Sequence, residues 1–188
     1  MGEWAFDART LIETARQKTG LSDFGGGDLE EGLAVLLETY DAHLVPDAAV
    51  RKAAWKRVEK LLELRLRIAA ALARHPEVRD LEIARPLFLT GLPRTGTSAL
   101  FNLLGMDPAA RPLLLWESFF PEPLEGLPPG APDPRREAMR QRNAQSRYKN
   151  AEFEKIHHTD ADTPEECVLL MAATFQHVHN GIEILTEP

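Results

Sequence analysis

The sequence predicts an α/β protein in which a helical region precedes a parallel sheet. Apolar residues recur at helical spacing through the first part of the chain. Beyond it, the segment PLFLTG at residues 86–91 is typical of a buried parallel strand and leads into a glycine-bounded loop. A short helical stretch and a second apolar segment follow. We therefore divide the chain into a helical region, residues 1–80, and an α/β region, residues 81–188.

Three helices are predicted in the helical region, over residues 9–19, 28–44 and 47–74. Asp28 is a suitable N-cap for the second helix, and Pro46 ends it. The third helix carries an apolar stripe that includes Trp55. We expect this stripe to lie in the core.

The α/β region begins with a strand, a helix and a second strand, over residues 86–91, 96–104 and 111–116. This order is a βαβ unit. A proline-rich loop over 120–134, an arginine-rich helix over 135–155 and a last helix over 164–179 follow. We expect the arginines to form a solvated face paired with nearby acids, and Cys167 to lie in the core.

The predicted sheet is incomplete. Two strands are fewer than a parallel sheet normally contains, and such a sheet is covered on both faces. Either a second copy of the chain or a different partner completes the fold, or the chain is a truncated form of a larger protein.

Composition excludes several classes of function. A formal net charge of -7 argues against general nucleic-acid binding, which depends on neutralising phosphates. No apolar run approaches the length that spans a bilayer. The single cysteine, Cys167, excludes an intrachain disulfide. Together with the lack of a signal-peptide pattern, it predicts a cytoplasmic protein.

The loop after the first predicted strand has the chemistry of an anion site. Residues 91–98, GLPRTGTS, fit the phosphate-loop pattern G-x-x-x-x-G-K-[ST] except that Thr97 replaces the lysine. The glycines allow a tight turn, and a helix that begins near Gly96 offers free N–H groups. Arg94 supplies a cation earlier in the loop. This arrangement suits one phosphate and its attached group better than a triphosphate with magnesium, so we expect no metal.

The loop and its surroundings resemble bacterial sulfotransferases. Residues 93–98, PRTGTS, match that family's P-[KR]-[ST]-G-[ST]-[ST] loop. The segments TGLSDFG and RLRIAAALARHPEV, the Trp116-Glu117 pair and a histidine before PEEC are also similar. The resemblance covers almost the whole chain and implies a P-loop nucleoside-kinase-like fold. It also implies that the chain holds only the N-terminal half of such an enzyme, without the residues that bind the 3′-phosphate of the donor.

The resemblance implies transfer of a sulfuryl group from 3′-phosphoadenosine 5′-phosphosulfate (PAPS) to a hydroxyl or amine of a small acceptor. Donor binding would then fall to Pro93, Arg94, Thr95, Gly96, Thr97 and Ser98. Arg94 would stabilise the leaving phosphate, and His157 would be the base that takes the proton of the acceptor.

Alternatives to these assignments exist. His158, Glu165 or Glu166 could be the base instead, although the order Thr163-Pro164-Glu165-Glu166 is explained by a capped helix start. Glu117 could contact substrate or be exposed. The alternative functions are a divergent P-loop NTPase or kinase, which the missing lysine disfavours, and a non-catalytic remnant or interaction module.

Overall fold

The computed structural model describes residues 4–44, 47–92, 95–128, 130–145 and 160–176. They form two compact units. The first holds the described residues within Met1–Asp80 and Val168–Pro188, and the second those within Leu81–Cys167. The predicted domain limits stay a prediction, and each unit is taken by itself below.

The described residues contain seven α-helices. They are α1 (Ala8–Thr19), α2 (Leu29–His43), α3 (Ala48–Arg74), α4 (Thr97–Leu104), α5 (Leu115–Phe119), α6 (Pro134–Ala144) and α7 (Val168–Ala172). A 3₁₀ turn, Pro76–Asp80, follows α3. The three helices predicted in the helical region are confirmed to within one residue at each end.

Local caps explain where the first helices begin. The Asp7 carboxylate accepts a hydrogen bond from the Thr10 N–H at 2.7 Å, and Asp47 accepts from the first turn of α3. Asp28 stands at the N-cap position of α2, but its side chain makes no capping hydrogen bond.

The core of the first unit joins α1, α2 and α3. Leu11, Leu33 and Leu62 are fully buried, and Trp55 belongs to the same cluster, as the apolar stripe predicts. Burial raises the pKa of Tyr40 to about 12, so this side chain is neutral at ordinary pH.

One carboxylate lies at the edge of this core. Glu59 of α3 is only 1% exposed, and it accepts from Lys56 at 2.9 Å and pairs with Lys18 at 2.7 Å. Burial raises the pKa of Glu59, but the hydrogen bonds from Lys18 and Lys56 outweigh this effect and hold it below its ordinary value. The ion cluster therefore joins α1 to α3 with its charge satisfied.

The second unit contains no strand among its described residues, so the predicted parallel sheet is not confirmed. Residues 86–92 have no regular structure, and a single antiparallel bridge in the described part of this unit pairs Leu114 with Pro164. The predicted strand over 111–116 is wrong at its end, because α5 starts at Leu115. The Glu117 carboxylate accepts the Leu114 N–H at 2.9 Å, and this local cap favours a helix.

The predicted start of the last helix is also wrong. The Thr163 hydroxyl donates to the Asp160 carbonyl within a turn, and Pro164 pairs with Leu114 instead of opening a helix. The helix α7 begins only at Val168, and Cys167 is exposed and not in the core. The C-terminal parts of the two predicted helices over 135–155 and 164–179 lie outside the described residues.

Candidate anion-binding site

The first turn of α4 presents backbone donors. Gly96, the N-cap, has φ 88° and ψ 12°, in the left-handed region that favours glycine. The first backbone bond of the helix runs from the Leu100 N–H to the Gly96 carbonyl at 3.1 Å. The N–H groups of Thr97, Ser98 and Ala99 therefore have no backbone acceptor among the described residues. Free donors and the helix dipole together favour an anion here.

The loop before α4 is closed by a side chain. The Thr95 hydroxyl donates to the Leu92 carbonyl at 2.7 Å. Because this bond uses the only proton of the hydroxyl, Thr95 offers an anion its backbone N–H in this conformation.

The loop is tightly packed at Gly91. A Cβ at this position would lie 2.8 Å from the Thr97 Cγ2 and 3.0 Å from the Thr95 Oγ1. A larger residue at Gly91 would therefore require these threonine side chains to shift, while Gly96 has open space beside it. The combination of a compact turn and an open helix start is the shape that an oxyanion group needs.

The structure brings together four of the predicted site residues, Thr95, Gly96, Thr97 and Ser98, at the start of α4. The other predicted site residues, Pro93, Arg94 and His157, lie outside the described residues, as does His158. Their roles stay predictions.

Glu117 is engaged in a local ion pair. Its two carboxylate oxygens lie 2.7 and 2.9 Å from the guanidinium nitrogens of Arg111, and its side chain is mostly buried. The same carboxylate caps α5 through the Leu114 N–H. These contacts give Glu117 a structural role that explains its position without a bound substrate.

Several arginines of α6 are paired with acids. Arg135 pairs with Asp133 at 2.6 Å and lies 4.7 Å above the Trp116 ring. The hydrogen bond from Arg135 lowers the pKa of Asp133. Arg140 donates to Asp162 at 2.7 Å. The expected pairing with acids is therefore present, but the face is only partly solvated, because Arg135 is mostly buried.

A groove of about 530 Å³ runs beside α4 in the second unit. It is lined by Ala99, Asn102, Leu103, Gly105, Met106, Pro112, Leu114, Asp162 and Pro164. Most of this lining is apolar, and Asn102 and Asp162 supply its polar groups. The sequence did not reveal the groove, because Leu114 and Pro164, which pair with each other and both line it, lie far apart in the sequence.

Metal binding and membrane insertion have no structural support in the described ranges. Within them, no three His, Cys, Asp or Glu side chains come together as metal ligands. No helix there has the length and apolar character that crossing a membrane requires.

Comparison with known proteins identifies the relatives of this chain. The sequence model of the sulfotransferase family matches residues 86–184. Sulfotransferase STF1 from Mycobacterium tuberculosis H37Rv is 29% identical with a TM-score of 0.78, over 95% of this chain and 50% of STF1. Sulfotransferase STF9 from Mycobacterium avium is 30% identical with a TM-score of 0.77, over 96% of this chain and 46% of STF9. The chain therefore spans about half the length of either relative. No curated protein matches the sequence significantly.

Proposed function

Since the chain belongs to the sulfotransferase family, whose sequence model matches residues 86–184, we propose that it binds PAPS and serves transfer of the sulfuryl group to a small acceptor. The observation that carries the proposal is the backbone cradle at the start of α4. It is formed by left-handed Gly96 and the N–H groups after it, which have no backbone acceptor within the described ranges. The chain spans about half the length of its solved relatives. That it carries out the whole transfer reaction is therefore also a proposal.

The cradle suits the 5′-phosphate of the donor. Backbone N–H groups bind a phosphate without regard to side-chain identity, and the helix dipole adds a positive end. Thr97 and Ser98 can add hydroxyl donors. The lysine that would reach a β- or γ-phosphate is absent from the loop, which disfavours Mg-ATP as the ligand.

Arg94 and His157 have complementary roles in the proposal. During transfer, the bond between sulfur and the bridging phosphate oxygen breaks, and a bond from sulfur to the acceptor oxygen or nitrogen forms. Arg94 stabilises the negative charge that grows on the leaving phosphate, and it cannot donate a proton to it. His157 takes the proton that the acceptor loses, and the leaving product is adenosine 3′,5′-bisphosphate.

The groove beside α4 is the proposed acceptor site. It reaches Ala99 in the first turn of α4, which is the turn that holds the cradle. An apolar lining with few polar groups is typical of sites for small organic molecules. An acceptor that carries an apolar body and a hydroxyl or amine fits this lining.

The single cysteine agrees with a cytoplasmic location for such an enzyme.

A thermal melt with adenosine 3′,5′-bisphosphate tests the proposal, because a ligand that binds only the folded chain raises the midpoint. We expect an upward shift with this nucleotide and none with Mg-ATP. The same preparation is then given labelled PAPS and a panel of phenols, alcohols and amines. A shift with Mg-ATP alone would identify a divergent NTPase or kinase. No shift with either nucleotide would favour the non-catalytic alternative.

The Arg94→Ala variant tests the loop cation. We expect sulfuryl transfer to fall at least about a hundredfold, as when one preorganised stabilising group is removed, while the melting midpoint of the free chain stays unchanged. Arg9→Ala is the matched control, because Arg9 is an exposed arginine of α1 in the other unit. Normal turnover in the Arg94 variant would refute its role.

A further inference from the structure

The two polar side chains that line the groove beside α4 differ in their contacts. Asp162 meets an arginine at each carboxylate oxygen, because the Arg140 Nη2 lies 2.7 Å from its Oδ2 and the Arg136 Nε lies 3.4 Å from its Oδ1. The charge of this carboxylate is therefore balanced within the unit. Asn102 makes no hydrogen bond to any other residue in the described part of the chain. Its amide keeps both its donors and its acceptor for a ligand.

Asn102 interrupts an otherwise apolar helix at a position that faces the groove. It is the one polar side chain between Ser98 and Asp107 in the sequence. Ala99 lies three residues earlier and also lines the groove, so the two residues share one side of α4. Side chains of a helix lean towards its N-terminus. The Asn102 amide is therefore directed along the groove towards the first turn of α4, which holds the cradle.

The charges around the groove favour an uncharged ligand. Its described lining contains no Lys, Arg or His side chain that would hold an anion. Its one acid, Asp162, already has two cations, so an ammonium group would add a positive charge to a balanced cluster. An alkylamine is protonated at neutral pH, since an ammonium like that of lysine has a pKa of about 10.4. Removing an unpaired charge from water is costly, whereas one amide can satisfy a neutral hydroxyl.

We propose that the groove binds a neutral alcohol or phenol with an apolar body, and that Asn102 is the residue that orients its hydroxyl. The inference rests on the proposed function, which makes the groove the acceptor site. The Asn102 amide N–H donates to one lone pair of the hydroxyl oxygen. The other lone pair forms the bond to sulfur as the bond between sulfur and the bridging phosphate oxygen breaks, and that electron pair goes to the leaving phosphate. The hydroxyl proton goes to the base, for which His157 is proposed.

Three probes that share one apolar body test the preference for a neutral ligand. They are 2-phenylethanol, 2-phenylethylammonium and phenylacetate, each titrated at pH 7 into the labelled chain. The side-chain amide signal of Asn102, identified by its loss in Asn102→Ala, is followed by NMR. We expect 2-phenylethanol to shift this signal and to bind at least about tenfold more tightly than either ion. The signal of Gln17, an exposed amide of α1 in the first unit, should not move.

Variants of Asn102 separate its hydrogen bond from the shape of the groove. Asn102→Ala should keep the helix, because alanine has the higher helix propensity, and should weaken binding of 2-phenylethanol about fivefold to tenfold. Asn102→Asp adds an unpaired carboxylate and should reverse the preference towards 2-phenylethylammonium. Gln17→Ala is the matched control and should change neither affinity. In the transfer assay, Asn102→Ala should lower kcat/KM for phenols about tenfold and leave the affinity for adenosine 3′,5′-bisphosphate unchanged.

Several results would overturn the inference. They are an Asn102 signal that no probe moves, equal or tighter binding of either ion to the unchanged chain, and unchanged affinity for 2-phenylethanol in Asn102→Ala. The probe titrations need no sulfuryl donor. Their failure is therefore distinct from failure of the proposed function, which the nucleotide melt and the labelled PAPS assay test.

Discussion

Replacing Gly96 by alanine isolates the role of the backbone in the cradle. Gly96 has φ 88°, and an added Cβ would meet no atom within 4 Å. The substitution therefore creates no clash, and its whole effect comes from the left-handed conformation. An L-residue pays about 1–2 kcal/mol to hold that conformation.

The protein can respond to this conformational strain in two ways. If alanine keeps the left-handed conformation, the free energy of unfolding falls by about 1–2 kcal/mol and the cradle is unchanged. If the backbone relaxes instead, the N–H groups of Thr97 and Ser98 turn away from a shared point. We expect relaxation, because the loop side of Gly96 is exposed. A loss of about 1.4 kcal/mol in binding corresponds to a tenfold weaker affinity.

Gly126→Ala is the matched control. Gly126 has φ 73°, also meets no atom within 4 Å of a built Cβ, and belongs to the proline-rich loop of the same unit. Calorimetric titration with adenosine 3′,5′-bisphosphate and urea unfolding are measured on both variants. Because its backbone relaxes, Gly96→Ala should lose little stability but about tenfold in affinity, and Gly126→Ala should keep its affinity. Unchanged affinity together with unchanged stability in Gly96→Ala, or an equal loss of affinity in both variants, would refute the argument that this backbone forms the site.

Three further predictions concern other positions. His157→Ala should lower turnover by about 10²–10⁴-fold without weakening the binding of adenosine 3′,5′-bisphosphate, and unchanged turnover in the assay would move the role of base to another group. Glu59→Gln should cost about 1–3 kcal/mol in urea unfolding at pH 7. Because the pKa of Glu59 is lowered by folding, its contribution is present above the unfolded pKa and is lost as the pH falls through the folded pKa, so the cost of Glu59→Gln should shrink in acid. Asp47→Ala should cost about 1 kcal/mol, whereas Asp28→Ala, which removes no capping bond, should leave the unfolding midpoint nearly unchanged.

The helical region could be predicted from sequence because its signals are local. Asp47 caps α3 through its own first turn, and Gly20 ends α1 in the left-handed conformation. The apolar stripe through Trp55 repeats at helical spacing. Each signal lies within a few residues of the element it defines, so no distant partner has to be known.

The secondary structure of the second unit is harder to predict from sequence, because its elements depend on contacts between distant residues. Thr163-Pro164-Glu165-Glu166 has the composition of a helix start, yet the Glu165 N–H donates to the Leu113 carbonyl at 2.9 Å and Pro164 pairs with Leu114. A contact across some fifty residues overrides the local preference. The exposed position of Cys167 follows from the same shift of the helix start to Val168.

The candidate site also has a part that depends on local structure and a part that depends on distant contacts. The cradle at Gly96 needs only one turn of loop and one turn of helix. The second unit therefore holds it, although residues 86–92 form no strand with any other described residue. The proposed catalysis needs more, because the groups that act on the donor and the acceptor must be held in the productive geometry, and a misplacement of about 1 Å can lower the rate about a hundredfold. Nucleotide binding by this chain should therefore be less sensitive than sulfuryl transfer to substitutions outside the first turn of α4.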